Sequence, residues 1–137
     1  MIRTQEGYER ALAEIRALNE SFASRRAVLE EKGFAPEEIE RVIEPLKAFG
    51  EGLGEDVFWY ERMLKGEFVP PNFGGLGLLL IGLRVNRKLT VKELGVLLRM
   101  GGDEVDRHER NEWFGISVQM AEKIITALGF KVQLQVS

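Results

Sequence analysis

The fold is decided by residues 89–129, LTVKELGVLLRMGGDEVDRHERNEWFGISVQMAEKIITALG. Thr90 stands three residues before Glu93 and precedes an apolar series, a spacing typical of a capping box at the start of an amphipathic helix. We expect that helix to run to about Met100 and to stop at the two glycines that follow. Asp103 is then placed to cap a second short helix. Two short helices joined by a tight glycine turn make a helix-turn-helix unit.

The residues after this unit predict one more helix and a strand. Ser117 is placed to cap a helix that Gly129 closes. The tail at 131–136, KVQLQV, alternates strictly and predicts a single β-strand. A lone strand leaves its edges and its apolar face uncovered, so we expect it to pair with a second copy of the chain. The side chains that would form this dimer contact are Val132, Leu134 and Val136.

The N-terminal half predicts two long helices. Thr4 is placed to cap the first, which Gly33 ends, and Pro36 suits the first turn of the second. A proline inside a helix costs about 3 kcal/mol, so we expect a kink or a break between Pro45 and Gly54. The two helices most simply form an antiparallel hairpin, which serves as an arm for dimerisation or for binding a partner protein.

A change in composition predicts two domains. The segment at 65–74 contains Pro70 and Pro71, which stiffen a link between folded parts. We therefore expect a helical hairpin over 1–68 and a helix-turn-helix domain over 69–137. The second domain would begin with a buried helix that packs through Leu78, Leu79, Gly82 and Leu83. The predicted fold class is all-α, an N-terminal hairpin followed by a five-helix domain with a short terminal β-strand.

Composition bounds the class of protein. The 137 residues are 45% hydrophobic, which is enough for a real core, and contain no cysteine, which excludes disulfides and cysteine-ligated metals. No signal-peptide segment or membrane-length apolar run occurs, so we expect a cytoplasmic protein with no membrane partner. The formal charge is −3, but the acidic excess lies within 1–68. The half over 69–137 is mildly basic, which suits contact with an anionic partner.

The sequence offers no catalytic or cofactor pattern. His108 and Glu112 stand where a zinc protease needs two histidines, so that motif is incomplete. Glycines at 75, 77 and 82 lack both the dinucleotide spacing and the Lys-Ser/Thr of a phosphate loop. We therefore expect a protein that is not an enzyme and that holds no metal and no cofactor.

Residues 76–129 resemble the phage-repressor type of helix-turn-helix domain, the XRE family. The resemblance covers about 40% of the chain and rests on Leu89-Thr90, Glu93-Leu94, the small Gly95, Leu98 and the string VDRHE at 105–109. The ending EWFGISVQMAEKIITALG is similar to that of antitoxin-like members. Some antitoxin-like members have a helical region before the domain that opens with a Thr and, four residues later, a Tyr. Thr4 and Tyr8 resemble that opening. The resemblance implies a close crossing of two helices at Gly95, with the second helix entering the major groove of DNA.

The resemblance also implies which residues would contact DNA. Those that would face bases are Gly102, Asp103 and Arg107, with Glu104 and Asp106 at the margin. Arg107 is the strongest of them because a guanidinium binds guanine bidentately. The alternative role for Arg107 is a surface ion pair with Asp103 or Glu104. The residues that would hold phosphates are Arg87, Lys88, Thr90, Lys92 and Arg110.

The sequence therefore predicts a regulator of transcription that binds double-stranded DNA, most simply a homodimeric repressor, with an antitoxin-type autoregulator and its toxin-like partner as one version. An alternative stays open, a protein-interaction module on a helix-turn-helix scaffold that has lost DNA binding, because acidic side chains on the second helix repel phosphates. Trp113 and Phe114 either stack on nucleotides or close the core, and His108 is expected to pack partly buried.

Overall fold

The protein, described by a computed structural model over residues 1–70 and 72–137, is all-α as predicted. No β-strand occurs in these residues. Its helices are α1 (Gln5–Glu31), α2 (Pro36–Lys65), a 3-10 turn (Phe73–Gly75), α3 (Leu76–Asn86), α4 (Val91–Leu98), α5 (Gly102–Arg110) and α6 (Val118–Ala127). Its two compact units are Met1–Trp59 and Tyr60–Ser137. No described helix combines the length and the apolar character needed to cross a bilayer.

The first unit is a pair of helices whose ends follow the local sequence signals. The Thr4 hydroxyl accepts a hydrogen bond from the Gly7 amide at 3.0 Å and caps α1. Gly33 takes a positive φ of 84° after the helix ends, as its position predicted. Arg26 of α1 donates to a carboxylate oxygen of Glu40 on α2 at 2.6 Å. The Arg26–Glu40 contact joins two long helices that bury few side chains.

Of the kink or break predicted between Pro45 and Gly54, the break is wrong, because α2 is a single helix of 30 residues that includes both positions, and the kink stays a prediction. Pro45 is exposed, so water can bond the backbone carbonyl that the proline leaves without an amide donor. The helix is anchored by buried apolar residues on both sides of the proline, including Ile43 and Tyr60. Packing at the two ends therefore offsets the local cost of the proline.

The second unit builds its core from several helices and begins inside α2. Tyr60 and Met63, near the end of α2, are 4% and 3% exposed and belong to this unit. The residues of α3 to α6 that complete the core include Leu80, Ile81, Leu94, Leu98, Val105, Ile124 and Ile125. The boundary predicted between 68 and 69 stays a prediction, and its Pro71 lies outside the described residues. Four α-helices and one 3-10 turn follow Asn72, against the five helices predicted.

The buried face of α3 differs from the one predicted. Leu78, Leu79 and Leu83 are only half-buried, and of the predicted face Gly82 alone is buried. The residues that α3 buries are Gly77, Leu80, Ile81, Gly82, Arg84 and Val85. Because this helix is apolar nearly all round, hydrophobic spacing could not select one face. A Cβ at Gly77 would overlap the Glu112 carbonyl oxygen, so the backbone there approaches as closely as only glycine allows.

The turn between α4 and α5 lies slightly earlier than predicted. The first helix ends at Leu98, not Met100, because Arg99 adopts the left-handed conformation at φ 58° and ψ 43°. Gly101 is the N-cap of α5, so the capping role predicted for Asp103 is wrong. Asp103 lies instead in the first helical turn, where a negative charge is favourable to the helix dipole.

The tail after α6 has no regular secondary structure over residues 130–137. Val132 is 49% exposed, Leu134 76% and Val136 95%. A strand needs a neighbour to bond its backbone, and the single chain provides none in the described residues. Pairing with a second copy therefore stays a prediction.

Candidate nucleic-acid interface

The base of the candidate interface is a tight crossing of α4 and α5. Thr90 and Glu93 form a complete capping box, in which the Thr90 hydroxyl accepts from the Glu93 amide at 3.1 Å and the Thr90 amide donates to the Glu93 carboxylate at 3.2 Å. A Cβ at Gly95 would lie 2.5 Å from the Met100 carbonyl oxygen. The sequence prediction that Gly95 permits a close crossing agrees with this geometry.

The start of α5 lies directly beside the start of α4. A Cβ added at Gly102 would lie 3.0 Å from the Cα of Lys92. Gly102 was predicted to face bases and Lys92 to hold a phosphate, and the structure brings these two positions into contact. The N-terminus of α5 therefore lies beside Lys92 of α4, while its own first turn carries Asp103 and Glu104.

One face of α5 is fixed in the core and the opposite face is presented to solvent. Val105 and Glu109 are 0% and 1% exposed. Asp103 and Arg107, one helical turn apart, are exposed, while Glu104 and Asp106 are half-buried at the edges of this face. The helix therefore presents the predicted base-reading residues on a backbone held by its buried side.

The charges of α5 are unequally satisfied. Arg110 pairs with Asp106 through an Nε to Oδ2 distance of 2.9 Å. Arg107 is exposed, and among the described residues it has no ion pair. The alternative partners considered for it, Asp103 and Glu104, do not hold it. Its guanidinium is thus available to an external acceptor.

The predicted phosphate contacts fall into two groups. Lys88, Thr90 and Lys92 are exposed around the turn from α3 into α4, and Lys88 adopts a left-handed φ of 58°. Arg87 differs from them because its Nε donates to the Leu128 carbonyl at 2.8 Å. Its guanidinium carbon also lies 4.1 Å from the centre of the Phe130 ring. Arg87 thus caps the end of α6, and its phosphate role stays a prediction for a side chain with fewer free donors.

Sequence reasoning missed the buried ion pair that positions α5. Arg84 Nε lies 2.6 Å from Glu109 Oε2, and Arg84 Nη2 lies 2.7 Å from Glu109 Oε1. Arg84 Nη1 donates to the Leu89 carbonyl at 2.7 Å. An arginine inside the apolar run LGLLLIGLRVN was the available signal, because a charge in such a helix needs a partner. Glu109 was noticed only as part of the family string.

The aromatic residues after α5 separate into a core residue and a surface residue. Trp113 is 4% exposed and stacks on His108 with ring centres 4.8 Å apart and planes 9° apart. The interpretation of Trp113 as closing the core is therefore confirmed, and His108 packs half-buried as expected. Phe114 is 86% exposed.

No group of three or more potential metal-ligating side chains lies together within the two described stretches of chain. No protein family model, curated protein or solved structure matches this chain. The argument for function therefore rests on the residues and their geometry.

Proposed function

We propose that this protein is a sequence-specific DNA-binding regulator of transcription, with α4, the glycine turn and α5 acting as a helix-turn-helix of the XRE type. The observation that carries the proposal is the exposed, ion-pair-free Arg107 on a helix whose opposite face is buried. In this arrangement α5 enters the major groove with its N-terminal residues toward the base edges. No chemical step is involved, because occupation of an operator is sufficient for repression.

Each residue of the interface has a stated role in this proposal. Arg107 donates two hydrogen bonds to a guanine, and Asp103 accepts from a cytosine amino group. Gly102 contributes through its backbone in the first turn, because the place of its missing Cβ faces Lys92 of α4. Glu104 and Asp106 lie at the margin, and Asp106 is already paired with Arg110 at 2.9 Å. Lys88, Thr90, Lys92 and Arg110 hold the phosphates on either side.

The small number of cations indicates that two subunits act together. Four basic side chains per subunit, Lys88, Lys92, Arg107 and Arg110, are exposed at this surface. Three of them, Lys88, Lys92 and Arg110, are assigned to phosphates, so a dimer would neutralise about six and show a slope of about −5 for log affinity against log salt. We propose a homodimer on a dyad-symmetric operator in the cytoplasm, with the tail strand of Val132, Leu134 and Val136 pairing between copies. The helical arm over 1–68 then supplies further dimer contacts or binds a toxin-like protein.

The test is selection of duplexes from random DNA, followed by fluorescence anisotropy at several salt concentrations. Arg107→Ala should lower the preference for the selected duplex over a scrambled one by about 10- to 100-fold. Arg41→Ala, which removes an exposed arginine from α2, is the matched control and should change neither affinity nor preference. Equal binding of selected and scrambled duplexes by the unmodified protein at low salt would refute the proposal.

A second candidate function is a protein-interaction module built on the same scaffold. It is favoured by the acidic side chains of α5, since Asp103, Glu104 and Asp106 all lie near the surface that DNA would approach. This candidate predicts a stoichiometric complex with another protein that survives Arg107→Glu. If Arg107→Glu abolishes DNA binding and no protein complex forms with this variant, the result favours the regulator over the interaction module.

A further inference from the structure

The first unit buries very little apolar surface for its size. Among Met1–Trp59, the apolar side chains that are buried are Ala11 at 5%, Ile39 at 3% and Ile43 at 0% exposure. A pair of helices packs only along the faces that meet, so the outer face of each has no second layer to cover it. Large apolar side chains remain exposed on α2 as a result. This unit therefore has apolar surface available for another helical layer.

Three of the large exposed apolar residues of α2, Val42, Phe49 and Trp59, lie on one face at heptad spacing, and Phe58, 50% exposed, lies outside it. The α2 stripe consists of Val42, Pro45, Phe49, Gly52, Asp56 and Trp59, which alternate steps of three and four residues. Val42 is 47% exposed, Phe49 56% and Trp59 41%. This alternation is the pattern by which one helix packs against another in a coiled coil. The stripe has one polar member, Asp56, toward its C-terminal end.

The stripe is complementary to itself when a second copy runs in the opposite direction. Its members pair about a centre between residues 50 and 51, so that Val42 faces Trp59, Pro45 faces Asp56 and Phe49 faces Gly52 of the other copy. The pairing places the large Phe49 against the small Gly52. A Cβ at Gly52 would meet no atom within 4 Å, so space is open there for the ring of Phe49.

We propose that the α2 stripe is a homodimerisation surface, in which α2 helices of two copies pack antiparallel about a twofold axis near residues 50 and 51. A twofold interface requires one patch that fits itself, and the exchange of Phe49 and Gly52 supplies that fit. Two hairpins joined in this way form a four-helix bundle, which gives each its missing layer.

Charge disfavours DNA and anionic membranes as the occupant of the stripe. Residues 1–59 carry eight lysines and arginines against thirteen aspartates and glutamates. A surface with this excess of negative charge repels phosphate groups. The dimer surface does not depend on DNA binding, so its test is performed without DNA and its failure leaves the α5 proposal intact.

The first test measures the mass of the full chain by multi-angle light scattering across a concentration series. We expect the mass of two chains, and Phe49→Lys should raise the dimer dissociation constant by about a hundredfold or more, because two aromatic side chains per dimer lose their burial. Phe34→Lys is the control, since Phe34 is 41% exposed in the loop before α2 and outside the stripe. It should remain dimeric. Circular dichroism checks that both variants keep their helix content.

A monomeric unmodified chain would overturn the proposal, as would a Phe49→Lys variant that stays as dimeric as the control. The second result would also follow if the tail alone held the dimer. A chain truncated after Phe130 separates the two surfaces and should remain dimeric through α2.

The second test uses the absence of native cysteine. Val42→Cys and Trp59→Cys chains, mixed and oxidised, should form a cross-linked heterodimer because these positions face each other. Val42→Cys alone should not cross-link, since its two copies would lie about 25 Å apart along the antiparallel helices. Efficient cross-linking of Val42→Cys to itself, or none in the mixture, would exclude this register even if Phe49→Lys failed to fold.

Discussion

Arg84 and Glu109 form the buried ion pair that connects α3 to α5. Both side chains are buried, at 2% and 1% exposure, and they bond each other through two nitrogen and two oxygen atoms. A buried charge without its partner is strongly destabilising, whereas removal of both charges orphans neither. The pair therefore makes the α3 to α5 contact sensitive to change in either residue.

We expect Glu109→Ala to lower the free energy of unfolding by about 3 to 5 kcal/mol, since it removes the Glu109 carboxylate from the buried Arg84 guanidinium. The double variant Arg84→Met with Glu109→Leu should lose less. Urea denaturation followed by circular dichroism measures both. A double variant that is less stable than Glu109→Ala would show that the buried charge of Arg84 does not cause the loss of stability in Glu109→Ala.

Glu40 makes the first unit sensitive to acid. Hydrogen bonds from Arg26 first, and then Lys47, hold the pKa of the Glu40 carboxyl below its ordinary value. A lowered pKa in the folded state means that the stabilisation is present above the unfolded value of 4.5 and is lost as the pH falls through the folded pKa. The group is exposed, so the effect should be small and should weaken in salt.

Glu40→Gln should therefore reduce the dependence of thermal stability on pH below 4.5. Glu44→Gln is the control, because Glu44 is an exposed glutamate on the same helix. Melting temperatures at several pH values and two salt concentrations provide the measurement. Identical pH profiles for Glu40→Gln and the unmodified protein would contradict the prediction.

At the scale of elements, the crossing of α4 and α5 depends on one missing side chain. Gly95→Ala places a Cβ 2.5 Å from the Met100 carbonyl oxygen, which forces the turn to move. We expect a loss of about 1 to 3 kcal/mol in stability and weaker DNA binding. Thermal denaturation and anisotropy measure the two effects.

The control for that substitution is Gly54→Ala in α2. A Cβ at Gly54 meets nothing within 4 Å, so alanine should raise stability by about 0.5 to 1 kcal/mol through its helix propensity. If Gly95→Ala were as stable as this control, the crossing of α4 and α5 would accommodate a Cβ at position 95, contrary to the prediction.

Element ends could be predicted from sequence where one residue and its near neighbours decide them. Thr4, Thr90 and Ser117 were identified as helix caps, and each hydroxyl accepts a backbone amide hydrogen bond. The predicted break at Pro45 was wrong because its local cost is offset by packing of distant residues along α2. Arg84 and Glu109 are 25 residues apart, so no local pattern could join them.

For the whole molecule, the sequence was sufficient to predict an all-α chain, and the predicted domain boundary between 68 and 69 stays a prediction. Tyr60 and Met63 lie in the second unit although they precede the Pro70 region where the sequence changes composition. Asp103 and Arg107 were named from the family resemblance, and both are exposed on α5. Whether these two side chains contact DNA depends on the operator, which the sequence of the protein does not contain.

Arg84 connects three helices of the second unit. One guanidinium bonds Glu109 of α5 and the Leu89 carbonyl just before α4, while its own backbone belongs to α3. Release of α5 alone would leave that cation buried without a counter-charge. We therefore expect the amide hydrogens of these three helices to exchange with solvent in a single cooperative event, so that α5 is protected to the same free energy as α3 and α4.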